Sequence, residues 1–113
     1  MSEYSYNLLR GNTDMLILSL IDELKSAHGY QLIKEMEKRS NGFFRLKEGT
    51  MYPLLRKLES DGLLAGKWQV TSSGPEKRCY MITQKGRDVL SRRKKLWENF
   101  TSAINLVFQT NGV

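Results

Sequence analysis

Apolar residues crowd residues 13–25 from every side. Met15, Leu16, Ile17, Leu18, Leu20, Ile21 and Leu24 leave almost no polar face, which predicts a helix central to the core. Thr13 is a good N-cap, and Asp14 suits the positive end of a helix dipole. Ala27-His28-Gly29 breaks the pattern. Tyr30, Leu32, Ile33 and Met36, interleaved with Lys34, Glu35, Glu37 and Lys38, then predict a second helix over residues 30–39. Ser40-Asn41-Gly42 closes it with an αL-tolerant pair. A third apolar stripe, Met51, Leu54, Leu55 and Leu58, recurs at i, i+3, i+4 and i+7. Thr50, Tyr52, Arg56, Lys57 and Ser60 fall on the other side, with no carboxylate between Thr50 and Lys57. Pro53 lacks an N–H and belongs in a first turn. This predicts a start near Gly49 or Thr50, with Thr50 as N-cap, and an end at Ser60-Asp61-Gly62 with Gly62 at C′.

Beyond Gly62 the period shortens to two. Trp68 and Val70 alternate with Lys67 and Gln69, predicting a strand over residues 63–70. Residues 71–76 are loop-forming throughout. Residues 77–83 alternate again, with Cys79 and Met81 on one face and Tyr80 and Ile82 on the other. Two strands alone are marginal, so this hairpin must pack on the helices. Thr83 caps a final helix reaching about Phe108, roughly 40 Å long. Along it Leu90, Trp97 and Ile104 lie seven apart, and Phe100 and Val107 fill the alternate positions. That is an a/d seam interrupted by Arg93. Near the start, Tyr4, Leu8 and Leu9 have partial helical spacing, consistent with a short arm over residues 1–12.

Composition narrows the function. With 113 residues, one domain, or one small domain plus an appended helix, is expected. A net charge of +6 favours an anionic partner. Cys79 and His28 are the only residues of their kinds. An internal disulfide is impossible, a Cys/His zinc or haem site is not expected, and one thiol fits a reducing cytoplasm. No cofactor is implied. Residues 1–10 lack the apolar run of a secretory leader, and residues 15–20 are too short to span a bilayer. No nucleophile–base pair, no apolar pair of carboxylates and no phosphate-cradling glycine loop is present, so an enzyme is not expected. His28 is better read as a turn or capping residue than as a base. The run Arg92-Arg93-Lys94-Lys95 reads as a solvated face rather than a phosphate contact.

Three helices followed by a hairpin, the third helix amphipathic and cationic, is the order of a winged helix-turn-helix. The expected fold is therefore α+β and mostly α: three helices, a two-stranded wing and a long C-terminal dimerisation helix. Residues 1–83 form the DNA-binding unit and residues 84–113 the dimerisation helix. A chain this small cannot bury a second seam alone, so Leu90, Trp97, Phe100, Ile104 and Val107 are expected to join a homodimer. Its two-fold symmetry implies a pseudo-palindromic site on double-stranded DNA. The rival is a winged-helix protein-interaction module that never touches DNA.

The motifs His28-Gly29-Tyr30-Gln31-Leu32, Gly49-Thr50-Met51-Tyr52-Pro53-Leu54-Leu55 and Leu58-Glu59-Ser60-Asp61-Gly62-Leu63 stand in order. Gly74-Pro75, Lys77-Arg78, Tyr80 and Thr83-Gln84-Lys85-Gly86 follow. Over roughly residues 9–90 the chain resembles the PadR family of transcriptional regulators, in its short form with a single C-terminal helix. The resemblance implies a bacterial, cytoplasmic repressor that dimerises and leaves DNA on an effector signal. It points to Thr50, Tyr52 and Pro53 at the start of the recognition helix, Arg56 and Lys57 beside them, and Lys77 and Arg78 in the wing. Two positions depart from the pattern: Glu76 is acidic at the wing tip, and Cys79 replaces the usual aromatic. In some short members, aromatic residues of the C-terminal helices line a pocket for flat hydrophobic compounds. Here that would involve Trp97, Phe100 and Met15, although an aromatic at an a position such as Trp97 is more usually a dimer-seam residue.

Overall fold

The computed structural model describes residues 2–72 and 74–109. Met1, Ser73 of the expected loop and the last four residues of the expected C-terminal segment lie outside the described residues. The elements run α1 (Glu3–Leu9), α2 (Thr13–Leu24), β1 (Ala27–His28), α3 (Gly29–Arg39), α4 (Glu48–Ser60), β2 (Leu64–Thr71), β3 (Gly74–Ile82) and α5 (Gln84–Phe108). This is the expected winged helix-turn-helix, with α3 and α4 as the helix pair and β2–β3 as the wing.

α2 is the hub. Its Ile17, Leu18 and Ile21 are fully buried, as are Leu32 of α3 and Met51 and Leu55 of α4. A near-continuous apolar surface lets one helix meet α3, β3 and α5 at once. The arm is helical. Ser2 caps α1 by accepting from the Ser5 N–H at 3.0 Å, and Leu9 anchors it in the core.

The sheet gains a short strand. Ala27 pairs with Tyr80 and His28 with Cys79, giving the antiparallel order β1-β3-β2. β3 is thus the central strand, and its Cys79 and Tyr80, which point to opposite faces, are both buried. β3 also starts at Gly74 rather than at residue 77, so the loop is shorter than its composition implied.

The beginning of α4 corrects the expectation. Lys47, not Thr50, occupies the N-cap position, and Thr50 lies inside the first turn. Pro53 therefore sits within the helix, where it deprives the Gly49 carbonyl of its usual partner. That carbonyl lies on the exposed side, where solvent can accept the role. The end is as expected. Gly62 has φ +79°, and the Gly62 and Leu63 N–H groups donate to Glu59 and Leu58 carbonyls, a Schellman closure.

α5 is clasped to that closure. Thr83 Oγ1 donates to the Gly62 carbonyl at 2.7 Å and accepts from the Gly86 N–H at 3.0 Å, and Lys85 Nζ donates to the Asp61 carbonyl at 2.9 Å. Arg93 departs from the solvated face. Its guanidinium binds the Asp14 carboxylate at 2.9 and 3.1 Å and the Gly11 carbonyl at 2.5 Å. Towards Phe108 the helix leaves the body, and Leu106, Val107 and Phe108 are exposed. The radius of gyration is 16.1 Å, against about 13 Å for a compact chain of this length.

Candidate nucleic-acid interface

α4 presents Gly49, Pro53, Arg56, Lys57 and Ser60 to solvent, while Met51, Leu55 and Leu58 face the core. The remaining polar residues divide between two flanks. Thr50 is half-buried beside Tyr6 of α1 and Arg10 just after it. Tyr52 is half-buried on the α3 side, its ring against Gly29. A Cβ on residue 29 would lie 2.5 Å from Tyr52 Cε1, so a glycine at the head of α3 is what admits the ring.

Between this flank and the wing runs a groove of about 530 Å³, lined by Tyr30, Tyr52, Arg56, Glu59, Trp68, Lys77 and Arg78 among others. The expected cations are not equivalent within it. Lys57 is paired with Asp61 one turn on, at 3.0 Å. Arg78 is engaged by Glu59: Nη2 to Oε2 is 2.5 Å and Nε to Oε1 is 3.3 Å, with its guanidinium 5.3 Å from the Trp68 ring centre. Arg56 and Lys77 form no ion pair among the described residues. Of the four expected cations, Arg56 on the helix and Lys77 on the wing therefore keep their charge free, and Lys67 of β2, exposed and also in no ion pair among the described residues, adds to the wing.

Glu59 and Trp68 stand in the motif and the strand pattern of the sequence but were not expected as site residues. The Glu59 carboxyl is held below the usual range, chiefly by the hydrogen bond from Arg78, and the Gly66 N–H adds to this. Only the wing's return places Arg78 beside it, nineteen positions on.

His28 is the N-cap of α3, its Nδ1 accepting from the Gln31 N–H at 3.2 Å. This is the capping role expected for it. Burial, and then the charge of Lys77, lower its pKa below the ordinary 6.5. The folded value lies below the unfolded one. His28's contribution to stability is thus full above pH 6.5 and is lost as pH falls through the lowered value. His28→Asn keeps a capping acceptor but cannot titrate. Wild type is expected to lose stability relative to this variant on acidification, seen as converging or crossing urea midpoints between about pH 8 and pH 5. Parallel midpoints would remove the coupling.

The family model of the transcriptional regulator PadR-like family matches residues 17–92. The chain belongs to that family. PadR-like proteins are transcriptional regulators, not enzymes, and the resemblance carried by the motifs is borne out. This PadR-like chain is 33% identical to a PadR family transcriptional regulator from Eggerthella lenta, covering 94% of this chain and 89% of that one with a TM-score of 0.81. It is 30% identical to a PadR-like regulator from Bacillus cereus, covering 93% and 99% with a TM-score of 0.80. A transcriptional regulator of Mycobacterium tuberculosis is 32% identical over 77 residues, 68% of each chain.

In this PadR-like chain Met15 and Trp97 share the wall of an apolar cavity of about 430 Å³ with Leu8, Leu9, Leu16, Phe43 and Phe44, with Lys94 also lining it. Phe100 lies outside that wall, its ring centre 5.9 Å from that of Trp97. The wall residues from α1 and from the α3–α4 connection carried no periodic signal that linked them to Trp97. Leu90 is 4% exposed and belongs to the chain's own core. Trp97, Phe100 and Val107 are 42%, 56% and 81% exposed, and Ile104 is half-buried. Among the described residues no helix is long and apolar enough to cross a membrane.

Proposed function

We propose that this PadR-like regulator is a cytoplasmic, sequence-specific DNA-binding repressor that acts as a homodimer on a pseudo-palindromic operator. The observation that carries the reading is the exposed outer face of α4 set beside the wing, with Arg56 on the one and Lys77 on the other in no ion pair among the described residues. A helix face for the major groove and a cation for the flanking backbone are what sequence-reading and phosphate-positioning contacts require. Residues 1–83 serve DNA and residues 84–113 serve the dimer, whose seam draws on the exposed apolar residues of α5 from Trp97 onward. Selection from random duplex DNA is expected to return a two-fold sequence with half-sites about one helical turn apart. Failure to enrich any sequence, with no salt-dependent binding, would instead mean a protein-interaction module.

The apolar cavity beside Trp97 fits a small hydrophobic or aromatic effector. Planar aromatic compounds are expected to quench the fluorescence of Trp97. Trp97→Phe, which leaves Trp68 as reporter, supplies the control, and equal quenching in both proteins would eliminate the site.

A further inference from the structure

We infer that Glu59 is a positioning residue for DNA recognition: it locks the wing to the recognition helix at a fixed angle, and Arg78 serves that lock rather than a phosphate. The inference rests on the DNA-binding reading above. Glu59 lies near the end of α4. Its carboxylate accepts from the Gly66 N–H of β2 at 3.2 Å and from Arg78 of β3 at 3.3 and 2.5 Å. One side chain on the helix thus holds both strands of the wing. Arg78 is further confined by the Trp68 ring. Both charged partners are mostly shielded, with side chains 27% and 29% exposed, unlike the Lys57–Asp61 pair at 71% and 48%. Gly66 completes the lock. A Cβ there would lie 2.7 Å from Arg78 Nε and 2.8 Å from Glu59 Oε2, so a larger residue would displace the charged pair.

An acidic residue beside a DNA-binding surface would ordinarily weaken binding by repulsion, and removing it would strengthen binding to any duplex. The lock inverts that sign for the specific site. Without Glu59 the wing loses its fixed relation to α4, and Lys77 no longer meets the backbone while α4 is seated in the groove.

The test uses the full chain, an operator obtained by selection and an unrelated duplex, with affinities read by fluorescence anisotropy across a salt series. Glu59→Met is expected to bind operator about tenfold more weakly, the scale of a lost charge-assisted hydrogen bond, and to bind unrelated duplex equally or more tightly. Glu59→Gln keeps one acceptor and is expected to fall between Glu59→Met and wild type, and it serves should Glu59→Met fold poorly. The double variant Glu59→Met/Arg78→Met preserves net charge and is expected to keep the wild-type salt slope, whereas Lys77→Ala is expected to lower the slope by about one unit.

Operator binding by Glu59→Met or Glu59→Gln as tight as or tighter than wild type overturns the lock. So does a slope lowered by about one unit in the double variant, which would assign Arg78 a phosphate. Absence of salt-dependent binding in wild type itself would mark failure of the DNA-binding reading, and the role of Glu59 would fall with it.

Discussion

Replacing Gly86 with alanine is expected to destabilise the protein by about 3 kcal/mol, although glycine to alanine inside a helix normally stabilises by about 1 kcal/mol. Gly86 is buried in the first turn of α5. A Cβ there would lie 2.2 Å from the Leu63 carbonyl oxygen, 3.1 Å from its carbon and 2.8 Å from Ile82 Cγ1. None of these atoms can yield easily. The Leu63 carbonyl accepts from the Thr83 N–H at 3.1 Å, and the Leu63 N–H is fixed to Leu58 in the closure of α4. The extra methyl must therefore lift α5 away from α4 and break the Thr83 clasp. In urea or thermal unfolding this should appear as a midpoint lowered on the order of 10 °C. Gly49→Ala is the control, because a Cβ there meets nothing within 4 Å. It should leave stability unchanged or raise it by about 0.5–1 kcal/mol. Equal behaviour of the two variants would refute the close approach.

Arg56→Ala is expected to abolish site-specific binding while leaving fold and dimer intact. The side chain is exposed and forms no ion pair among the described residues, so its removal disturbs no packing. In the proposed complex it is the free cation on the helix that enters the groove, and an arginine on a base edge is worth about 1–3 kcal/mol of discrimination, up to roughly a hundredfold. Tyr52→Ala should also abolish site-specific binding, with a difference in stability. Its ring covers Gly29, so truncation also removes packing at the head of α3. Anisotropy on selected operator separates binding from stability, and light scattering checks the dimer. Wild-type affinity in Tyr52→Ala would mean that another element reads the DNA.

What could be read from the chain follows the range of the forces involved. α2, α3, α5 and the end of α4 are written locally, in helical periodicity, in Thr83 and in the Asn41-Gly42 and Asp61-Gly62 closures. β1 could not be read, because two residues have no period and Ala27 finds its partner only at Tyr80. Pro53 misdirected the start of α4. A proline usually marks a first turn, but an exposed carbonyl at Gly49 lets the helix begin at Glu48 instead. The candidate site was legible as a list of residue types and not as a charge map. Four cations were evident, and Lys57 has its partner Asp61 only four positions on, but only the tertiary arrangement shows that Arg78 is held by Glu59 while Arg56 and Lys77 form no ion pair among the described residues. Leu90 illustrates the same limit: heptad spacing identifies an apolar column, not which end of it the chain's own core has already taken.

The attachment of α5 at two separate points has a mechanical consequence. Thr83 and Lys85 fasten its start to the end of α4, and Arg93 fastens it to α2 about 12 Å further along. A rod held at two points cannot swivel on its mount. In a dimer joined through the outer half of α5, any change in the angle between the two rods is delivered whole to the two α4 helices. Tilting a rod of about 37 Å by about 10° displaces its far end by about 6 Å, more than one helical turn's rise. In the proposed dimer the spacing of the two reading heads would therefore be set at the seam, far from the bases they address.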